Sequence, residues 1–151
     1  MAYDARERTK TWIEEHDVPA NITKDDDATE ASYILQYSNP PYPLSRIYFD
    51  PKNVDLTFTI DEPTTEAIVD WDGYTIGYTE KVPIHINCPT KQGITGNKLL
   101  WKAQAELRRI FETNPLGSYR GFSVSRPYTQ KLGLFTLYGV TVTVSYERDT
   151  T

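Results

Sequence analysis

The chain has 151 residues, 16 basic and 21 acidic, for a formal net charge of −5, with 38% hydrophobic residues, one cysteine and two histidines. That length holds one domain with its own core. It excludes a disulfide framework and a Cys-rich zinc site, and the charge has the wrong sign for grip on nucleic acid by neutralising phosphate. No apolar run reaches the roughly 18 residues of a membrane helix, so no membrane association is expected, nor is a secretory leader in the charged first ten residues.

Residues 3–16 carry the pattern of a short amphipathic helix. Asp4 and Glu7 stand at capping-box spacing, Trp12 and Ile13 supply the apolar anchor, and Pro19 follows as a stop. Asp25, Asp26 and Asp27 read as a solvated loop, since the remaining ligand positions of a calcium loop are missing. Residues 32–37 (SYILQY) suit a strand, NPPYP at 39–43 breaks regular structure, and 47–49 suits a short edge piece. In residues 54–60 (VDLTFTI), Val54, Leu56, Phe58 and Ile60 alternate onto one face. Asp72-Gly73, between residues 67–71 and 74–78, predicts a hairpin with a two-residue type I′ turn. Together these suggest a Pro- and Tyr-rich, strand-bearing insertion at about 38–72, with its hairpin protruding.

Val82, Ile84, Ile86 and Cys88 then share one strand face, with Lys81, His85 and Asn87 on the other; Pro83 argues for an edge or an irregular start. A loop over 89–96 leads into a helix at about 97–114. Leu99, Leu100, Ala103, Leu107, Ile110 and Phe111 fall in one arc of that helix, and Trp101 projects away from it beside Arg108. Residues 119–126 and 132–148 predict two closing strands. The longer one places Leu134, Tyr138, Val140, Val142, Val144 and Tyr146 on one face, with Phe135, Leu137 and Thr141 on the other. The fold class is α+β: a mostly antiparallel twisted sheet, two helices on one face and an inserted β-hairpin region, in a single domain over 1–151.

Chemical signatures are sparse. GITGNK at 93–98 lacks the spacing and the Gly-Lys-Ser/Thr ending of a phosphate loop. His85 has no Cys, Ser or second His nearby and reads as a surface or interface histidine. Cys88 continues an apolar face and reads as an inert buried thiol. Asp61-Glu62 and Asp70-Asp72 are the one pairing of carboxylates that suits acid–base chemistry, although solvated loops hold such residues more often. Tyr119, Arg120, Phe122, Arg126 and Tyr128 suit strand packing with exposed arginines better than base stacking. No catalytic constellation, cofactor or metal is expected.

The order of parts from residue 78 onward (VPIHINCP, KQGITGNK, LLWKAQAELRRIF, SYRGFSVSRP and LFTLYGVTVTVSYER) resembles the tail terminator family of long-tailed bacteriophages. The resemblance is one of layout over about 100 residues, and the segment from 38 to 72 departs from it. It implies a structural virion protein of the head–tail junction: a hexameric ring that caps the tail tube, joins the head connector or neck protein, and lets DNA pass without specific binding. It implies assembly in the host cytoplasm and a final place in the virion, and no catalytic residues or cofactor. Trp101, Lys91, Gln92, Arg108, Arg120 and Arg126 are the expected interface residues, and any channel wall is expected to be neutral or acidic. Two other readings compete: a non-viral α+β protein-binding or assembly module, and an enzyme with a dispersed site.

Overall fold

The computed structural model describes residues 5–16, 22–24, 28–37, 54–89, 96–113, 119–132 and 135–149. The fold is α+β. Its elements are α1 (Ala5–Glu15), β1 (Tyr33–Tyr37), β2 (Leu56–Ile60), β3 (Thr64–Val69), β4 (Thr75–Pro89), α2 (Gly96–Thr113), β5 (Tyr119–Val124), β6 (Tyr128–Leu132) and β7 (Phe135–Asp149). The expected capping residue Asp4, the acidic run 25–27 and the edge piece at 47–49 lie outside the described residues.

Two fifteen-residue strands, β4 and β7, form the centre and pair antiparallel from Gly77↔Asp149 to Pro89↔Leu137. Each is flanked by two short strands placed end to end. β3 and β2 share the outer edge of β4, and β5 and β6 share that of β7. β1 adds to β2 in the only parallel pairing among the described strands. The sequence pattern gives separate strands at 74–78 and around 82–88, and leaves 127–131 between the two closing strands. In the structure β4 runs unbroken, and β6 folds back on β7 as a hairpin.

Pro83 does not mark an edge. It sits inside the central strand, opposite Thr143. Its carbonyl accepts a hydrogen bond from Asp61 N–H at 2.9 Å, so its nitrogen points the same way, towards the gap between β2 and β3. No ladder donor is required there, which removes the usual penalty for proline in a sheet interior.

Alternation sends Val82, Ile84, Ile86, Cys88, Val140, Val142 and Val144 to one face, where both helices cover them. The expected arc of α2 is the buried one: Leu99, Leu100, Ala103, Leu107, Ile110 and Phe111 are at most 4% exposed. α1 buries Ala5, Thr9 and Ile13, and Thr9 Oγ1 meets the buried Tyr146 hydroxyl at 2.7 Å. Arg6 and Lys10 lie over the Tyr37 ring, at 4.7 and 5.4 Å from its centroid, and hold α1 to β1. β2 belongs to this core, with all five residues buried. Residues 56–60 are therefore a structural strand rather than part of an inserted hairpin, which begins only at Thr64. Residues 38–53 of the expected insertion lie outside the described residues.

The second face of the sheet differs from expectation. Thr57, Thr59, His85 and Asn87 face away from the helices, yet none is more than 7% exposed. Tyr128 lies across this face over Gly139, where an added Cβ would overlap its ring, and donates to Asn87 Oδ1 at 2.9 Å. Gly139→Ala should therefore cost about 1–3 kcal/mol in urea unfolding, and much less in a Tyr128→Ala background, where no ring stands in the way.

Tyr119 stacks on Phe111, with ring centroids 6.2 Å apart. Burial raises its phenol pKa above the ordinary value; nearby Glu112 adds to the rise and Arg108 opposes it. A raised folded-state value means that the unfolded chain releases the proton first. The stabilisation is complete below about pH 10 and is lost as pH rises beyond it. Alkaline melting curves should show Tyr119→Phe losing less stability above pH 10 than the wild type.

Candidate functional site

Four of the six exposed large apolar side chains among the described residues gather at the β3–β4 hairpin. The turn is tied by its own sequence. Asp70 Oδ1 accepts from the N–H groups of Asp72 (3.0 Å) and Tyr74 (2.9 Å), and Asp70 C=O accepts from Gly73 N–H at 3.0 Å. Asp70 N–H donates to Tyr74 C=O at 2.9 Å and closes a three-residue loop, Trp71-Asp72-Gly73. Gly73 adopts φ +90°. This is the three-residue hairpin with one left-handed glycine, not the expected two-residue turn. The Asp70 carboxylate accounts for the difference, because it accepts the two N–H groups that the wider loop leaves unpaired.

Four large apolar residues stand out from this braced turn: Val69, Trp71, Tyr74 and Ile76, with Trp71 95% exposed. Ile76 is in phase with the core residues Val82 and Ile84, yet it is more than half exposed. The cause is length. β4 outruns the helical layer, whose cover on that face begins at Glu80. The result is an arm with an aromatic end, held by backbone hydrogen bonds rather than by a core.

A second apolar feature lies on α2. Trp101 is 68% exposed and forms one wall of an open cleft of about 300 Å³, with Asn97, Leu100, Gln104, Pro127 and Val140. The other expected interface residues are dispersed. Arg126 is exposed and precedes Pro127 of the cleft. Arg108 lies over the Phe122 ring, 5.3 Å from its centroid. Arg120 donates to Glu147 at 2.6 Å, and Arg109 to Glu106 at 2.9 Å. Lys91 and Gln92 lie outside the described residues. Trp101 and Arg126 thus share one region, while Arg108 and Arg120 sit by β5 at the far end of α2.

The residues with chemical potential are used internally. His85 is not a surface histidine. It is 7% exposed, with Nδ1 at 2.9 Å from Thr141 Oγ1 and Nε2 at 3.0 Å from Asp61 Oδ2. Both ring nitrogens face protein partners, so neither is offered to a substrate or a metal. This claims Asp61 from the expected carboxylate pair. Glu62 lies 3.7 Å from Arg6, and Asp70 braces its turn, so the two pairs do not converge. Gln36 donates to Thr59 at 3.1 Å on the same face, continuing a polar row across the sheet. Cys88 is fully buried and donates to the neighbouring Pro89 carbonyl. Gly96 of the glycine-bearing loop is a buried residue opening α2. Among the described residues, no three His, Cys, Asp or Glu side chains are grouped to hold a metal.

No family model matches the chain, and no curated protein matches it.

The sequence reading singled out Trp101 but passed over Trp71, which it placed at the end of a strand. The usable signal was Asp70-Trp71-Asp72-Gly73: an aspartate three residues before glycine can brace a wider turn and lift the residue between. Exposure and bonding predict opposite mutational outcomes. Trp71→Ser should leave stability within about 0.5 kcal/mol of wild type. Thr141→Val removes the hydroxyl facing buried His85 Nδ1 and should cost about 1–3 kcal/mol. Urea unfolding of the two variants checks both.

Proposed function

We propose that this protein is a structural subunit of the head–tail junction of a long-tailed phage, a tail terminator that assembles as a hexameric ring, caps the tail tube and joins the head connector. The observation that carries this reading is the braced arm with Val69, Trp71, Tyr74 and Ile76 exposed at its end. Exposed apolar side chains gathered at one projecting turn suit contact with another subunit. The order of elements lends support: a long strand, a helix, a short strand and a long closing strand follow one another from β4 to β7, as the resemblance implies, with the additional short strand β6 where the resemblance has a turn.

The electrostatics suit a conduit for DNA. Acidic residues outnumber basic ones by 21 to 16, and the imbalance multiplies with copy number. Arg108, Arg109 and Arg120 are engaged by Phe122, Glu106 and Glu147 within the same chain. A wall lined by arginines engaged in this way releases fewer counterions on contact with a duplex than one of unpaired cations, and holds it less.

Sedimentation velocity over a wide concentration range, with electron microscopy of the heaviest species, tests the reading. It predicts closed rings of six subunits. A monomer at every concentration, or a compact dimer without a channel, contradicts it. On the same grounds duplex DNA should show no mobility shift at low salt, and tight, salt-sensitive binding would point to a nucleic-acid-binding protein instead.

A further inference from the structure

We infer that the arm of one copy seats its Trp71 end in the Trp101 cleft of the next, so that the subunits join head to tail. This deepens the ring reading and rests on it.

The arm and the cleft cannot meet within one chain. Val140 of the cleft lies opposite Ile86 on β4, whereas the arm begins beyond Gly77 at the other end of the same strand. The nine residue steps from Gly77 to Ile86 span about 30 Å of extended strand. Both ends belong to one continuous ladder with β7, which does not fold back on itself. Any contact between them therefore involves a second copy.

Their chemistry is complementary. The arm presents an indole, a phenol and two aliphatic side chains, and between residues 64 and 76 it carries Glu66, Asp70 and Asp72 with no basic residue. The cleft offers the exposed Trp101 indole and Pro127 above a floor formed by the almost fully buried Leu100 and Val140. The exposed Arg126 adjoins the lining Pro127 in sequence. A cation beside the cleft and the exposed Asp72 beside Trp71 give the two aromatic centres opposite charge, which fixes orientation and disfavours arm-to-arm pairing, where Asp72 would face Asp72. The volume, about 300 Å³, is at the small end for ligand sites and suits one aromatic side chain.

Because each copy has one arm and one cleft in different places, the contact is heterologous and propagates until it closes. A tryptophan buries about 150–250 Å², below the roughly 1,000 Å² of a stable interface. The seat is therefore the anchor of a wider interface, and closure, which gives every copy two such contacts, stabilises the ring.

Complementation tests this directly. An arm variant (Trp71→Ser with Tyr74→Ser) keeps its cleft, and a cleft variant (Trp101→Glu) keeps its arm. All three positions are exposed, and melting curves check that both variants fold. Each variant alone should self-associate at least about 30-fold more weakly than wild type. Their equimolar mixture should form a one-to-one heterodimer by sedimentation and go no further, since only one productive arm–cleft pair remains. A second pair gives an independent reading: Asp72→Lys should weaken assembly, and mixing with Arg126→Glu should restore it. If either exposed-site variant assembles like wild type, the arm–cleft contact is wrong while the ring reading stands. If the variants lose assembly but their mixture stays monomeric, the contact is not heterologous and the inference falls. If wild type never self-associates, both the inference and the ring reading fall.

Discussion

The antiparallel pairing of β4 with β7 is the constraint from which the rest of the structure follows. Two strands of fifteen residues are unusually long for a globular sheet. One helical layer cannot cover their full length, so the ladder continues past the core at the Thr75 end. Each short flanking strand then occupies half of a long edge. This division of the edges gives Pro83 a place without a donor, β3 a long strand to grow from, and β6 a stretch of β7 separate from the one that β5 uses. Exposure of Ile76, in phase with the core yet beyond its cover, is the direct consequence.

The same pairing organises the second face. Thr141 lies opposite His85, and Gly139 opposite Asn87, so cross-strand neighbours can satisfy polar groups that are hidden from water. Burying such groups without partners would be costly. Here Thr141 and Asp61 take the His85 nitrogens, Gln36 bonds Thr59, and Tyr128 reaches over Gly139 to Asn87 Oδ1, although Asn87 Nδ2 has no partner among the described residues. A histidine between a carboxylate and a hydroxyl looks like catalytic machinery on paper. The geometry gives it the role of a strut between β2–β3 and β7.

How much of this was legible depended on which physical signal each part uses. The α2 stripe and the apolar face of β4 were readable because a helix and a strand impose fixed periods on core residues, and Trp101 stood out as a departure from that period. Periodicity identifies the apolar face but does not reveal whether the opposite face is covered, so burial of His85 and Asn87 was not foreseeable. Pro83 blurred the continuity of β4. The hairpin was signalled by Asp72-Gly73, but the turn type depended on the Asp70 side chain bonding to Asp72 and Tyr74, and with it the elevation of Trp71. The wide separation of arm and cleft needed the register of β4 on β7, which no single-strand pattern contains.

The central claim is that the arm is an assembly handle, exposed in the lone subunit and covered in the assembled one. Fluorescence at Trp71 measures this most directly, in a reporter whose other two tryptophans are replaced (Trp12→Phe, Trp101→Phe) and whose remaining one is incorporated as 5-hydroxytryptophan, excited where the ordinary tryptophans of the wild-type protein, added in excess to supply intact clefts, do not absorb. The account predicts full acrylamide quenching of Trp71 in the dilute variant, and a blue shift with strong protection once wild-type subunits are added. Protection of Trp71 in the dilute subunit, or unchanged quenching within assembled particles, would contradict it.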